Sequence, residues 1–250
     1  MTSAPLILSL ETATLGGSVF LGRGLVELGA RGGDPQVSQS SSLLSDISSV
    51  LKEAGVTLAE VDLFACALGP GSFTGLRIGI ATLKALATSL ERPCAGVPTL
   101  GAVALAAGPN EATVSLLPAG RGEVFAQLFS VLPDGKVTEL DHAAHLSPQK
   151  LIEKYAEFPR LQWAGNGAHR HWDVIERHAL QHGIAIVDRE NYVNVSGSDG
   201  WQLAPLEHIL ARPVGTLALE AFESGKLQSP QALKAIYVRP SDAELNQQCR

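Results

Sequence analysis

A chain of 250 residues with 45% hydrophobic and 18% charged content carries enough apolar material for one large domain or two lobes with their own cores, and its composition excludes a disordered protein. Its formal net charge of −6 excludes a protein whose whole surface grips nucleic acid by neutralising phosphates. Three cysteines, Cys66, Cys94 and Cys249, stand at no metal-ligand or redox spacing, and with no basic leader and no bilayer-length apolar run they point to a cytoplasmic protein without membrane contact.

In chain order, residues 6–10 predict a strand that Gly16-Gly17 turns into a second over 18–21, with a third around 25–28, a meander. Residues 34–42 are polar and read as a loop, one of whose serines caps the next helix. That helix, 43–54, shows one apolar stripe at Leu43, Ile47, Val50 and Ala54 and stops at Gly55. Leu44 and Leu51 lie beside the stripe, and Ser45, Ser48 and Ser49 form a face for solvent or for another protein. The run Leu63-Phe64-Ala65-Cys66-Ala67-Leu68 predicts a strand covered on both faces.

At Gly69 this strand gives way to a helix reaching Leu90, with Leu76, Ile80, Leu83, Ala87 and Leu90 on one face. Gly69, Gly71 and Gly75 permit backbone angles and approaches that a Cβ would obstruct, and Ser72 or Thr74 can cap the helix. Two readings stay open here: a tight strand-to-helix turn, or an anion cradle of backbone N–H groups at the helix's positive end. Neither a P-loop nor a dinucleotide fingerprint is present.

Residues 95–97 predict a strand and 99–107 a helix ended by Gly108-Pro109. Strands over 114–117 and 123–131 open a second lobe, and Ser147-Pro148 starts a helix running to about Tyr155. A strand over 161–164 runs through Gly165-Asn166-Gly167 into a helix from His169 to His182, a second strand–glycine–helix unit. His169, His171, His178 and His182 lack an acidic third ligand in a zinc pattern, so no metal site is expected. A strand over 184–187 follows, then helical segments interrupted by Pro205 and Pro213 and stopped near Gly225. The expected division is 1–108 and 109–250, with the late helices free to return to the first lobe.

Four segments carry a resemblance: Gly-Pro-Gly-Ser-Phe-Thr-Gly-Leu-Arg at 69–77, Leu-Ser-Leu-Glu-Thr-Ala-Thr at 8–14, Arg-Gly-Glu-Val-Phe at 121–125 and Ile-Tyr-Val-Arg at 236–239. Together they are similar to the bacterial TsaB (YeaZ) family, a glycoprotease-like branch of the actin-like ATPase superfamily. The resemblance implies an α/β, two-lobed actin-like ATPase (ASKHA, ribonuclease H-like) fold. It makes Glu11, Thr12, Gly69, Gly71, Ser72, Gly75, Gly165 and Gly167 the candidate nucleotide or phosphate residues, for ATP or ADP at a complex. Glu11 stands where the superfamily has an Asp that handles phosphate-bound metal, and Pro118 where the family has an Asp. Thr99 and Val103 stand at the positions of a His-x-x-x-His metal pair in the catalytic relative TsaD, so no catalytic or metal residue is expected.

The function so implied is that of a non-catalytic partner of TsaD in making threonylcarbamoyladenosine beside the tRNA anticodon. The ATPase TsaE belongs to the same complex, tRNA is met only indirectly, and for the chain alone both a homodimer and a monomer stay open. The partner face implied is Leu44, Leu51, Ile78, Ala81, Ala85 and Thr88, because both helices carry small or apolar residues beyond one stripe. The alternatives are a metallopeptidase or small-molecule kinase of the same fold, or a homodimeric nucleotide-binding module.

Overall fold

The computed structural model describes residues 4–34, 36, 39–187 and 200–238, and resolves them into two units. The first comprises the residues up to Ala102 together with those from His208 onward, the second Val103–Glu207. This differs from a division at 108/109: the line falls inside one helix, and the late segment belongs with the first unit.

The first unit is a five-stranded sheet in the order β3-β2-β1-β4-β5. β1 (Leu6–Glu11), β2 (Ser18–Arg23) and β3 (Val26–Gly32) form the antiparallel meander, while β4 (Leu63–Gly69) and β5 (Cys94–Pro98) run parallel to β1. Every residue of β1 and β4 is buried, as continuous apolar runs in central strands require. α1 (Gln39–Ala54) starts before Leu43, so its capping position falls outside the described residues. Its Val50 meets Gly29 on the face that also carries Leu21.

α7 (Ala211–Glu223) covers the opposite face, where Gly215 lies against Phe20 and Ser9. Pro213 does not interrupt this helix, because in the first turn its missing N–H would have no intrahelical partner. The Ser9 hydroxyl donates to the Ala211 carbonyl at 2.6 Å, and the Ala211 N–H donates to Ser18 Oγ at 2.9 Å, so two buried strand serines tie down the helix's first residue. Gly225, at φ 68°, supplies the left-handed stop just beyond its end.

The second unit repeats the topology: β11-β10-β6-β7-β8, with β6 (Asn110–Gly120), β7 (Glu123–Val131) and β8 (Val137–Glu139) antiparallel and β10 (Arg160–Ala164) and β11 (Gly200–Leu203) parallel to β6. β9 (Ala144–Leu146) adds to β7. α4 (Pro148–Tyr155) is capped by Ser147, whose Oγ accepts from the Lys150 N–H. Tyr155, Trp163 and Trp201 form the aromatic centre of this core, with Trp163 edge-on to both.

Two of the expected elements take another form. The helix expected over 169–182 is two helices, α5 (Asn166–Arg170) and α6 (Trp172–Gln181), which meet at His171. Residues 184–187 make no strand; only Ile186 bridges to Trp201. The segment 191–199, Arg239 and Cys249 lie outside the described residues. The architecture is the two-lobed actin-like ATPase fold.

Candidate functional site

The glycine-rich stretch is a junction between three segments of the first unit. β4 ends at Gly69, the Gly69–Pro70 peptide is cis, and α2 (Phe73–Ser89) begins after Ser72. Ser72 is the cap, its Oγ accepting from the Gly75 N–H at 3.2 Å. The Ser72 N–H itself donates to the Ala13 carbonyl at 2.7 Å, and the Gly69 N–H donates to Thr99 Oγ1 at 3.0 Å in a fully buried bond. Three N–H groups that a phosphate would need are therefore committed to the protein.

The glycines serve close packing. A Cβ on Gly71 would sit 2.5 Å from the Ala13 carbonyl oxygen, and one on Gly79 would collide with Thr12 Oγ1. The loop between β1 and β2 thus lies with Ala13 on the backbone of Gly71 and with the Thr12 side chain on Gly79 of α2. Gly79 was not singled out by sequence, although its position one turn after Gly75 is a legible small-residue spacing.

Glu11 completes the junction. It is 1% exposed, and its two carboxylate oxygens accept from the Thr14 N–H at 2.7 Å and the Thr14 hydroxyl at 2.6 Å. Burial holds its pKa above the ordinary carboxylate range, opposed by those two hydrogen bonds. Beside it a small cleft is lined by Glu11, Thr12, Ser18, Gly33, Ser42 and Asp46. With Glu11 closed back on Thr14 and the N–H groups of Gly69, Ser72 and Gly75 engaged, these residues do not fit a phosphate-bound metal in this arrangement. Thr12 is 2% exposed and packs against α2.

In the second unit, Gly165 takes φ 87° ahead of α5, and both Gly165 and Gly167 lie so close to the backbone of Leu116 that a Cβ at either would fall within 3 Å of it. The Gly165 carbonyl accepts from the N–H groups of Ala168 and His169. An ordinary tight connection accounts for both glycines.

Thr99 opens α3 (Thr99–Ala107) and is fully buried, and Val103 is 2% exposed. Neither side chain is a metal ligand, and among the described residues no group of three His, Cys, Asp or Glu side chains could hold a metal ion. His178 and His182 stack at 4.0 Å between ring centroids, and His178 also stacks on Trp201 at 6.0 Å. Burial, then the neighbouring His182, holds the His178 pKa below the usual histidine value. Burial pushes the Cys66 thiol up to about 12 and the Cys94 thiol up to about 11, which makes neither a poised nucleophile.

The residues expected at a partner face separate into two groups. On α2, Leu76, Ile80, Leu83 and Ala87 turn into the core, while Ala81, Ala85 and Thr88 are exposed and Ile78 is half-buried. On α1, Leu44 is 63% exposed, whereas Leu51 is 8% exposed and belongs to the core. Leu51 is thus withdrawn from the face: it sits on the side of its helix that the core reaches. α1 and α2 are neighbours, and the surface they offer outward includes Leu44, Ile78, Ala81, Ala85 and Thr88 beside the exposed Lys52, Glu53 and Arg77. Among the described residues, no helix is long and apolar enough to cross a membrane.

Comparison with known proteins bears on this arrangement. A family model described as "TsaD: tRNA N6-adenosine threonylcarbamoyltransferase" matches residues 37–174. The chain is similar to the tRNA threonylcarbamoyladenosine biosynthesis protein TsaB of Escherichia coli, 27% identical over 200 residues, which are 79% of each protein. It is also similar to the tRNA N6-adenosine threonylcarbamoyltransferase of Gluconobacter oxydans, 30% identical over 129 residues, 49% of this chain and 34% of that protein. Among solved structures, YeaZ from Pseudomonas aeruginosa superposes with a TM-score of 0.71 at 25% identity, covering 93% of this chain and 99% of that one.

Proposed function

Because the chain belongs to the TsaD family, tRNA N6-adenosine threonylcarbamoyltransferase, and aligns with TsaB (YeaZ) proteins along most of its length, we propose that it acts in threonylcarbamoyladenosine biosynthesis on tRNA as a non-catalytic partner of a TsaD-type subunit. The observation that carries the non-catalytic part is the fate of Thr99 and Val103. Thr99 spends its hydroxyl on the buried Gly69 N–H, and Val103 is a core side chain, so the positions that resemble a metal pair hold a loop in place and fill space. Binding is then the activity. The outward surface of α1 and α2 that holds Leu44, Ala81, Ala85 and Thr88 is the proposed docking face, where small residues such as Ala81 and Ala85 allow close helix approach.

In this reading the TsaD-type subunit positions the threonylcarbamoyl group and the target adenosine, while this chain orders that subunit through the shared helices. A TsaE-type ATPase joins the same complex and supplies the nucleotide chemistry. In isolation the same face pairs two copies of this chain. The experiment is tRNA modification reconstituted with each component omitted in turn. Product formed by this chain alone, or full product without it, defeats the proposal; loss of product on its omission, with restoration on adding it back, supports it.

A further inference from the structure

Beside the docking face, α2 carries a second surface of different chemistry. Phe73 lies in its first turn, and the Arg77 guanidinium sits over the Phe73 ring at 3.8 Å from the centroid. On the same ring stacks Tyr237, at 5.3 Å between centroids and 37° between planes. Tyr237 reaches this position because the residues just before it are anchored: Leu233 is 1% exposed in the core, and the Ile236 N–H donates to the Leu68 carbonyl at 2.7 Å. Tyr237 nevertheless remains 50% exposed, far more than an aromatic residue anchored for stability alone requires.

The two segments that meet at this stack carry charge of one sign. The chain has 25 acidic and 19 basic residues, yet neither Gly69 to Leu90 nor Ser224 to Val238 contains a single Asp or Glu, while they contribute Arg77, Lys84, Lys226 and Lys234. The short 3-10 turn Pro230–Ala232 packs against α2, which brings the second segment beside the first. Arg77, Lys84 and Lys234 form no ion pair with any described residue. A half-exposed aromatic stack with Arg77 on its ring, and further cations along the same two segments that pair with no described acid, is a combination suited to single-stranded nucleic acid, a base on the ring and phosphates on the side chains.

We infer that Phe73, Arg77 and Tyr237, with Lys84 and Lys234, form a contact for a single-stranded segment of RNA. The choice of RNA over DNA rests on the function proposed above; the stack and the charge do not. Net charge rules out a grip over the whole surface, and the contact is correspondingly local and weak.

The test is fluorescence anisotropy of a labelled oligoadenylate of about ten nucleotides with the full chain. With three cations, log affinity should fall against log salt with a slope of about −2, roughly a twentyfold loss between about 50 and 200 mM. Tyr237→Ala should weaken binding by about tenfold or more, and Arg77→Ala should weaken it and flatten the salt slope. Lys150→Glu, on α4 in the other unit, should not exceed the effect of one added charge. Circular dichroism confirms that each variant is folded. Absence of salt-dependent binding, or binding indifferent to Tyr237 and Arg77, overturns the inference. So does weakened capture of the TsaD-type subunit by Tyr237→Ala with RNA binding intact, for the surface would then belong to the protein partner. Any of these results leaves the omission experiment untouched, so the two readings fail separately.

Discussion

If the glycines of the central junction serve packing, then the methyl added by Gly79→Ala must clash in the protein by itself, and the clash must trace to Thr12. The added Cβ collides with Thr12 Oγ1 and lies 3.2 Å from Thr12 Cβ and Cγ2, and Thr12 is only 2% exposed, with little room to rotate away. Overpacking of this kind costs about 1–3 kcal/mol. Alanine is also the better helix former by about 1 kcal/mol, so the single variant should lose only about 0–2 kcal/mol. A double-mutant cycle removes that ambiguity, because the propensity gain is common to both arms. Combined with Thr12→Ala, which deletes Oγ1 and Cγ2, the coupling energy should be about 1–3 kcal/mol in the relieving direction. Urea unfolding followed by the helical circular dichroism signal measures all four proteins, and a thermal scan should show the coupling as a shift of a few degrees. Additivity within about 0.5 kcal/mol would refute the reasoning and return these glycines to a ligand role.

Three further outcomes are expected. Thr99→Val keeps the shape but leaves the buried Gly69 N–H without an acceptor, costing about 1–3 kcal/mol and speeding amide exchange at Gly69; an unchanged exchange rate would show that the bond is not made in solution. Ala85→Glu, on the exposed side of α2, should leave the monomer folded and weaken pairing with the TsaD-type subunit by a hundredfold or more, since stranding a charge in a dry interface costs about 3–5 kcal/mol; a folded variant with unchanged affinity places the interface elsewhere. Glu11 has a folded pKa raised above its unfolded value, so the native state holds the proton more tightly and stability falls as pH rises from the ordinary carboxylate range through the raised value. Glu11→Gln should flatten that fall, and parallel pH profiles of Tm in the two proteins would show that Glu11 does not cause it.

The elements most readable from sequence were those with one dominant determinant. Ser147-Pro148 fixed the start of α4, and Gly108 the end of α3, because a cap and a stop act locally. The stripe on α2 pointed as periodicity required. Leu51 shows the limit of that logic: it lies only a little off the stripe of α1, and how far a core reaches around a helix is set by the neighbouring elements. β11 was missed because the four residues Gly200–Leu203 make no pattern of their own and depend on pairing with β10. Ser9 and Ser18 were unreadable for the same reason, being hydrogen-bond partners of a helix residue about two hundred positions away. Glu11 and Thr12 were named only through the resemblance, and that Glu11 turns back on Thr14 is a matter of tertiary closure.

The insertion of the second unit between β5 and α7 has a consequence for synthesis. All five strands of the first sheet have been made by Pro98, but α7, which covers the face bearing Ser9 and Phe20, begins only at Ala211. At ribosomal speed the sheet waits on the order of ten seconds for its cover, with Phe20 and the strand serines open to water. The second unit, whose strands and helices are contiguous in the chain, has no such wait. Its folding on the ribosome is therefore expected to be finished while the first unit is still half-built, so that a chaperone bound to the nascent chain would meet the first sheet and not the second.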